Sequence, residues 1–333
     1  MIKLDDVARA SGVSISTVSR ALSEPERVAE PTRRRIYAAV RELGYRPNRA
    51  ASLLRSGRTG SLGLLVPDLE NPYFASLTKG VQARAQEAGM AVLVADSDEN
   101  LRRETDLVGQ LAQQTDGVLV ASPRILDLDV AALDGTPSIL INAEAPGLPS
   151  VSVDYADATM QAVAHLHALG HRRIAYAGGP AGSSADARRR DGLTQADERF
   201  SDVQIVDLGA FSPRVEGGEA AADLAVGSGA TGIIAFNDLV AVGLLALLAR
   251  RGIAVPDQLS VVGYDDILVS RLATPTLTTM RVDIRGVGEA AVQMFVDLTG
   301  RRPKTRADAA DERRTMPTRL VVRESTAAPV QRG

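Results

Sequence analysis

The chain has 333 residues, no cysteine, three histidines and a formal net charge of −3. Without thiols there is neither a disulfide framework nor a thiolate metal site, and histidines confined to His165, His167 and His171 are too few and too local for most metal centres. No apolar run approaches the ~20 residues needed to cross a bilayer, and residues 1–15 lack the hydrophobic stretch of a secretory signal, so a cytoplasmic protein without a membrane partner is expected.

The modest net charge hides an asymmetry. Residues 1–60 carry 12 Lys and Arg against 6 Asp and Glu, a net of +6, while the remainder carries 26 against 35, a net of −9. A small basic head on a large acidic body points to a polyanion as partner of the head alone, although an ordinary solvated helical surface has the same look.

In chain order, Leu4–Ala10 reads as a short helix with Leu4, Val7 and Ala8 on one side, closed by Ser11-Gly12. Ser14 then stands in an N-cap position before a second helix, Ile15–Leu22, whose Val18 and Leu22 face inward. That leaves Ile15, Ser16, Ser19 and Arg20 outside. A third helix is predicted over Thr32–Leu43, with Ile36, Val40 and Leu43 as its buried stripe and Gly44 after it. Two short helices joined by a tight Gly-containing turn and buttressed by a third make a helix-turn-helix. Helical period alone also allows a generic three-helix bundle.

The residues are more specific than their period. The string DVARASGVSISTVSRALSEPERVAEPTRRRIYAAVRELGYRPNRAASLLRSGRTGSLGLLVP, residues 6–67, closely resembles the LacI/GalR (lac-repressor) family, and weaker matches continue to LVVREST near the C-terminus. The resemblance implies three pieces: a DNA-binding headpiece (1–46), a hinge helix and linker (47–59), and an effector-binding, dimerising core (60–326). It places Ile15, Ser16 and Arg20 at base-reading positions of the recognition helix, where an Arg can pair bidentately with guanine. It places Thr17, Ser19, Thr32, Tyr45 and Asn48 at phosphate-holding positions, which set register without reading sequence. Residues 47–54 match the family's hinge helix, with Ala51 on its small-residue side and Leu54 at the position that wedges into a minor-groove base step.

The core repeats an apolar run, a loop and a helical stretch. The runs are Leu62–Val66, Val92–Ala95, Val118–Val120, Ile139–Ile141, Ile174–Ala177, Ile205–Leu208, Ile233–Phe236 and Ser260–Tyr264. Continuous Val/Ile/Leu runs suit strands buried on both faces, and alternation with helices argues for βαβ units. The predicted fold is α/β: an all-α headpiece followed by two doubly wound parallel-sheet subdomains of periplasmic-binding-protein type, about 60–154 with 283–312, and about 155–282 with 313–326.

Ligands of such sheets bind beyond the carboxyl ends of the strands. The residues standing there are Asp68, Asn71, Tyr73 and Phe74; Asp96-Ser97-Asp98; Gly178-Gly179 and Arg188-Arg189-Arg190; Phe211; Asn237-Asp238; and Asp265-Asp266. Aromatics for stacking with Asn, Asp and Arg for hydroxyl groups suit a polyol or sugar ring. The resemblance implies effector contacts for Asn71, Tyr73, Phe74, Asp96, Arg189, Phe211, Asn237 and Asp265. Each has a plainer role open to it: a helix cap for Asp96, Asn237 and Asp265, core packing for Phe211. One departure is Val282, where ribose-type binders often carry Gln. The Gly178–Ser184 segment lacks the Gly-Lys-Ser/Thr ending of a phosphate loop, the three histidines read as a helix end, and the charged stretch Arg301–Arg314 reads as an exposed loop. No leucine heptad follows, so a dimer is expected.

The function so read is a transcriptional regulator, most simply a repressor, binding a near-palindromic double-stranded operator as a homodimer and modulated by a sugar, ribose-like pentose or nucleoside. No cofactor, metal or catalytic residue is expected, because no nucleophile elbow, nucleotide loop or acid/base pair is visible. The alternative is a sugar-binding protein without a regulatory role, against which the headpiece argues.

Overall fold

The computed structural model describes residues 2–23, 25–45, 58–124, 133, 135–300 and 312–330. Two compact units divide at residue 59, Met1–Thr59 and Gly60–Gly333.

The first unit is three helices: α1 (Leu4–Ser11), α2 (Ile15–Ser23) and α3 (Glu30–Glu42), with a 3-10 turn at Pro25–Arg27 before α3. Gly12 ends α1 in the left-handed region at φ +65°, and the Val13 N–H turns back to the Ala8 carbonyl at 3.2 Å. The Ser14 hydroxyl accepts from the Thr17 N–H at 3.2 Å, capping α2. Helix α3 starts two residues earlier than the sequence predicts, because Pro31 sits in its first turn, where a missing N–H costs nothing. Val7, Ala8, Val18, Ala21, Val28, Ile36 and Ala39 form the buried centre, and the Tyr37 hydroxyl ties α3 to the Ala21 carbonyl of α2 at 3.1 Å.

The second unit holds two sheets. The first contains β1 (Ser61–Val66), β2 (Ala91–Asp96), β3 (Val118–Ala121), β4 (Ser138–Ile141), β5 (Ser150–Val153) and β11 (Arg313–Met316), in the order β11-β5-β4-β3-β1-β2, all parallel. The second contains β6 (Arg173–Gly178), β7 (Gln204–Ala210), β8 (Gly232–Ala235), β9 (Ser260–Asp265), β10 (Thr278–Val282) and β12 (Thr318–Val321), in the order β12-β10-β9-β8-β6-β7. Only β12 runs against its neighbour. Helices α4 (Pro72–Glu87), α5 (Leu101–Gln114) and α11 (Ile284–Thr299) pack on the first sheet; α6 (Tyr155–Ala168), α7 (Ser184–Arg199), α8 (Val215–Gly227), α9 (Asp238–Arg250) and the short α10 (Leu268–Leu272) belong to the second. Helices α8 and α9 meet at glycines: a Cβ on Gly218 would lie 2.0 Å from the Val240 carbonyl oxygen, and one on Gly243 2.0 Å from that of Val215.

The chain passes between the sheets three times, with one residue between elements each time: Asp154, Asp283 and Pro317. Two of these residues cap the helix they lead into. Asp154 accepts from the Asp157 N–H and Asp283 from the Gly286 N–H, both at 3.0 Å.

Eight strands coincide with the apolar runs; β5, β10, β11 and β12 were not among them. The third passage lies at Pro317, so residues 313–316 belong to the first sheet and not, as expected, to the second subdomain. Arg313 and Arg314 are correspondingly strand residues opposite Ser150 and Val151 rather than part of an exposed loop; residues 301–311 of that stretch lie outside the described residues. The polar RRTM sequence forms a strand because β5 offers it an open edge, which outweighs intrinsic preference. Among the described residues no helix is long and apolar enough to cross a membrane.

Candidate functional site

The carboxyl ends of the two sheets face each other across a cleft. A cavity of about 390 Å3, including its open mouth, is lined from the first half by Asn71, Tyr73, Phe74, Glu99, Ser122 and Arg124. The second half contributes Tyr155, Ala185, Arg189, Pro213, Phe236, Asn237 and Asp265.

Arg189 is the centre of the second wall. It sits on α7 with only 2% of its surface exposed, and three rings surround its guanidinium: Tyr155 at 4.0 Å, Tyr264 at 4.4 Å and Phe236 at 4.5 Å. Each face-on contact of a desolvated cation is worth up to about 2 kcal/mol. Its Nη1 donates to the Ala185 carbonyl at 3.1 Å, while its Nε has no acceptor among the described residues. A buried donor left unmet costs about 1–3 kcal/mol, so the rings hold a charged fork whose hydrogen bonding is incomplete.

Asp265 ends β9 on the same wall. Burial raises its pKa from the usual 3.8 to about 6, against the opposite pull of Arg189. Behind it Asp238 is wholly buried. Its carboxylate accepts from the Thr279 hydroxyl at 2.6 Å and the Ile267 N–H at 2.9 Å, and burial, then the nearby Asp265 charge, raise its pKa well above the usual value. Asn237 caps α9 by accepting from the Val240 N–H at 2.9 Å and steadies the loop before α8 on the same wall by donating to the Pro213 carbonyl at 2.8 Å. On the first wall Asn71 caps α4 through the Tyr73 N–H at 3.0 Å, and the Asn142 amide donates to the Tyr73 hydroxyl at 2.7 Å. Tyr73 and Phe74 meet edge to face, centroids 5.1 Å apart.

The backbone is strained at the same ends. Among the described residues, the non-glycine residues with positive φ are Asp98, Glu99, Ser122, Asn142, Asp265 and Asp266, all at or just past the carboxyl ends of β2, β3, β4 and β9. Such conformations cost of order 1–3 kcal/mol each and gather where side chains must be aimed.

Two arginines bridge the halves through three ion pairs among the described residues. Arg214 donates to Asp68 at 2.8 Å and to Asp98 at 2.6 Å, and Arg188 reaches Glu144 at 2.9 Å. Arg190, the third of the consecutive arginines, turns away to Asp186 and Asp207. Asp186 also accepts from the Gly179 N–H and the Tyr176 hydroxyl, both at 2.7 Å, so the protein's own carboxylate fills the glycine turn where a phosphate loop would hold phosphate.

Of the effector contacts implied by resemblance, Asn71, Tyr73, Phe74, Arg189, Asn237 and Asp265 line the cavity together. Asp96 and Phe211 do not. The Asp96 carboxylate is occupied by the Leu69 and Asp98 N–H groups at 2.9 and 2.7 Å, and Phe211 packs against the apolar core. Sequence reasoning missed Tyr155, because β5 before it was missed, and Phe236, because it was counted into its strand. Glu99 and Arg124 were also missed. A signal existed for Tyr155: the Ser150–Val153 alternation ends two residues before it. Val282 is buried at the end of β10 and lines no part of this cavity.

In the first unit Ile15, at 45% exposed, Ser16 and Arg20 lie on the outer side of α2, while Thr17, Ser19, Thr32 and Tyr45 are half-buried around it. The Ser14 hydroxyl sits 2.8 Å from those of both Ser16 and Thr17. Asn48, Ala51 and Leu54 lie outside the described residues.

Comparison with known proteins covers both units. The profile of bacterial regulatory proteins of the lacI family matches residues 3–48, and that of the periplasmic binding protein-like domain matches residues 163–326. The HTH-type transcriptional regulator DegA of Bacillus subtilis is 32% identical over 332 residues, 96% of this chain and 97% of that protein. The ribose operon repressor of the same organism is 31% identical over 329 residues, 98% and 99% of the two chains. A lac repressor dimer bound to operator and the anti-inducer ONPF superposes with a TM-score of 0.84 at 28% identity, covering 98% of this chain and 99% of that one.

Proposed function

The chain belongs to the LacI family of transcriptional regulators, and we propose that it regulates through two sites, an operator-reading face on α2 and an effector cavity between the two sheets. Its relatives are DNA-binding regulators, among them a ribose operon repressor, and it is a DNA-binding regulator of the same kind. It acts as a homodimer, as in the operator-bound lac repressor dimer, so its operator is a near-palindrome with half-sites one helical turn apart. Ile15, Ser16 and Arg20 read bases; Thr17, Ser19, Thr32 and Tyr45 hold phosphates; Asn48, Ala51 and Leu54 act from the linker. The working division is a headpiece to residue 46, a linker to 59 and a core to 326.

The observation that carries the effector reading is Arg189: a guanidinium caged by three rings, with an unmet Nε donor, in the wall of a cavity that also presents Asp265 and Asn237. A ring or hydroxyl oxygen can accept from Arg189 while a neighbouring hydroxyl donates to Asp265. The effector class that meets both is a polyol, a sugar or the ribose of a nucleoside, which Tyr73 and Phe74 stack against. The effector changes operator affinity by binding the DNA-competent and incompetent states unequally.

The test is operator retardation with purified full-length protein, titrated with pentoses, hexoses and nucleosides. A saturable shift in operator affinity by one class is the expected result. Operator binding indifferent to all of them, with none raising the melting temperature, sinks the effector assignment; a native-state ligand at 100 times its Kd adds ~2.7 kcal/mol.

A further inference from the structure

Among the described residues each wall of the cavity carries one cation and one carboxylate, but the two walls use them differently. On the second wall Arg189 keeps a free donor and Asp265 is raised toward neutrality by burial. On the first wall Arg124 and Glu99 consume each other. Arg124 Nε donates to Glu99 at 2.7 Å and Nη2 donates to its other oxygen at 2.9 Å, with side chains only 9% and 17% exposed.

We propose that the Glu99–Arg124 pair is the charge selector of the cavity: paired, it presents a neutral wall that admits uncharged polyols and rejects acidic ones. The proposal rests on the reading of this cavity as the effector site and adds to it the residues that decide ligand charge. An acidic ligand reaches Arg124 only by displacing Glu99, which leaves that carboxylate against the ligand's own charge in a confined space. An uncharged ligand disturbs neither.

Three observations separate this role from a purely structural one. Both residues belong to the same half, Glu99 after β2 and Arg124 after β3, so the pair does not tie the halves together. Glu99 sits at φ +55°, a conformation that few non-glycine residues adopt without a reason. Arg124 is also anchored independently of Glu99: its backbone N–H donates to both oxygens of the buried Glu104, at 3.0 and 3.2 Å. Removing the Glu99 charge therefore frees the guanidinium without releasing the segment that carries it.

The experiment is a reciprocal change of charge, read by calorimetric titration of the full chain with matched probes: D-glucose, D-glucuronate and D-glucosamine, and the same three forms of D-galactose. The parent is expected to favour each neutral sugar over its charged counterparts. Glu99→Gln should gain roughly ten- to a hundredfold for the acidic member, the worth of one charge-assisted hydrogen bond. Arg124→Gln, which leaves Glu99 unpaired, should gain for the amino sugar and not for the acid. The double variant Glu99→Gln/Arg124→Met restores a neutral wall and should return to the parent's preference, which guards against a result caused by loss of fold.

No gain for either acid in Glu99→Gln, the same change in both single variants, or a parent that already prefers the acid each overturns the charge selector. A parent that binds neither neutral sugar, while the single variants still shift oppositely, counts against these sugars as effectors and leaves the selector standing. Neutral sugars bound by the parent without any charge-dependent shift do the reverse.

Discussion

The headpiece and the cleft are binding sites of opposite build. Ile15, Ser16 and Arg20 stand exposed on a helix whose own stability comes from Val18 and Ala21 on its other side. In the cleft the proposed binding groups are interior: Arg189, Asn237 and Asp265 are 2, 3 and 5% exposed. An exposed reading face waits for its partner in water and costs the fold little; surface changes away from caps and core shift stability by less than about 0.5 kcal/mol. A buried polar site is desolvated in advance, so the fold carries its cost whether or not a ligand is present. The strained backbone follows the same division, since the positive-φ residues outside glycine are all in the cleft loops among the described residues.

The largest test of this contrast is Arg189→Met. The variant should lose about a hundredfold in effector affinity, the upper end for a charge-assisted hydrogen bond plus its orientation. Its ligand-free melting temperature should nonetheless stay at or above the parent's. The buried guanidinium carries a desolvation cost of its own, Asp265 with its raised pKa takes up a proton once the cation is gone, and the three rings pack on Met as well as on a guanidinium. A melting temperature several degrees lower would mean that the cation–π cage outweighs the desolvation cost, and the contrast between the sites would weaken.

Arg20→Ala is the counterpart in the headpiece. Specific operator affinity should fall about thirtyfold, within the range of about 1–3 kcal/mol for a bidentate base contact, with the thermal transition unchanged and binding to random DNA nearly so. Equal losses on operator and random DNA would make Arg20 a phosphate contact.

The same division explains what could be read from the sequence. The headpiece elements and most of the second unit's strands were legible because periodicity and runs of Val, Ile and Leu report burial directly. Strand β5 was not, because its four residues SVSV are short and half polar, nor was β11, whose RRTM becomes a strand by pairing at the edge of the sheet. The cleft was legible in part. Asn71, Asn237 and Asp265 stand where a strand visibly ends, and Asn71 and Asn237 serve as cap and cavity wall at once, so the two readings of Asn237 were not alternatives. Asp96 stands at the same kind of position and is consumed by N–H groups of its own loop and of the loop after β1. Nothing in the residue type separates Asp96 from Asp265; the difference is which backbone N–H groups the loop brings to each. The Glu99–Arg124 pair joins loops 25 residues apart, which no local pattern shows.

A third test uses protons. The Asp265 pKa is raised in the fold, from 3.8 to about 6, so its protonated form is the one the folded ligand-free core favours. Stability from this group is therefore fully present below the ordinary pKa and is lost as pH rises through about 6. Effector binding should run the other way, because a ligand hydroxyl needs the carboxylate as acceptor. Affinity should hold from pH 8 to 7 and be about tenfold weaker at pH 5, following the ionised fraction of a group of this pKa. The half-buried His165 and the buried His171, whose pKa values burial lowers, also respond to acid, so the measurement is made against Asp265→Asn, which should abolish the slope in effector affinity. A slope that survives in Asp265→Asn belongs to other groups and removes Asp265 from ligand contact. The headpiece contains no histidine.

The smallest expected effect concerns how far the cleft is closed before any ligand arrives. Arg214 joins the halves through two bonds of unequal worth. The Asp68 side chain is 5% exposed and that of Asp98 62%. Water screens the second bond, and exposed pairs of that kind contribute 0.2–1 kcal/mol at most, so the Asp68 arm carries the latch. Arg214→Ala should therefore open the ligand-free core and weaken effector binding about fivefold, because closure then draws on ligand contacts that previously went to affinity. Asp98→Asn should barely register. The chain has no cysteine, so one introduced cysteine in each half takes a dye cleanly and energy transfer reports the opening directly. The result that refutes the latch is an unchanged transfer efficiency in Arg214→Ala. Equal opening in Arg214→Ala and Asp98→Asn would instead move the weight to the exposed arm, and with it the assumption that burial decides what a charge is worth in this cleft.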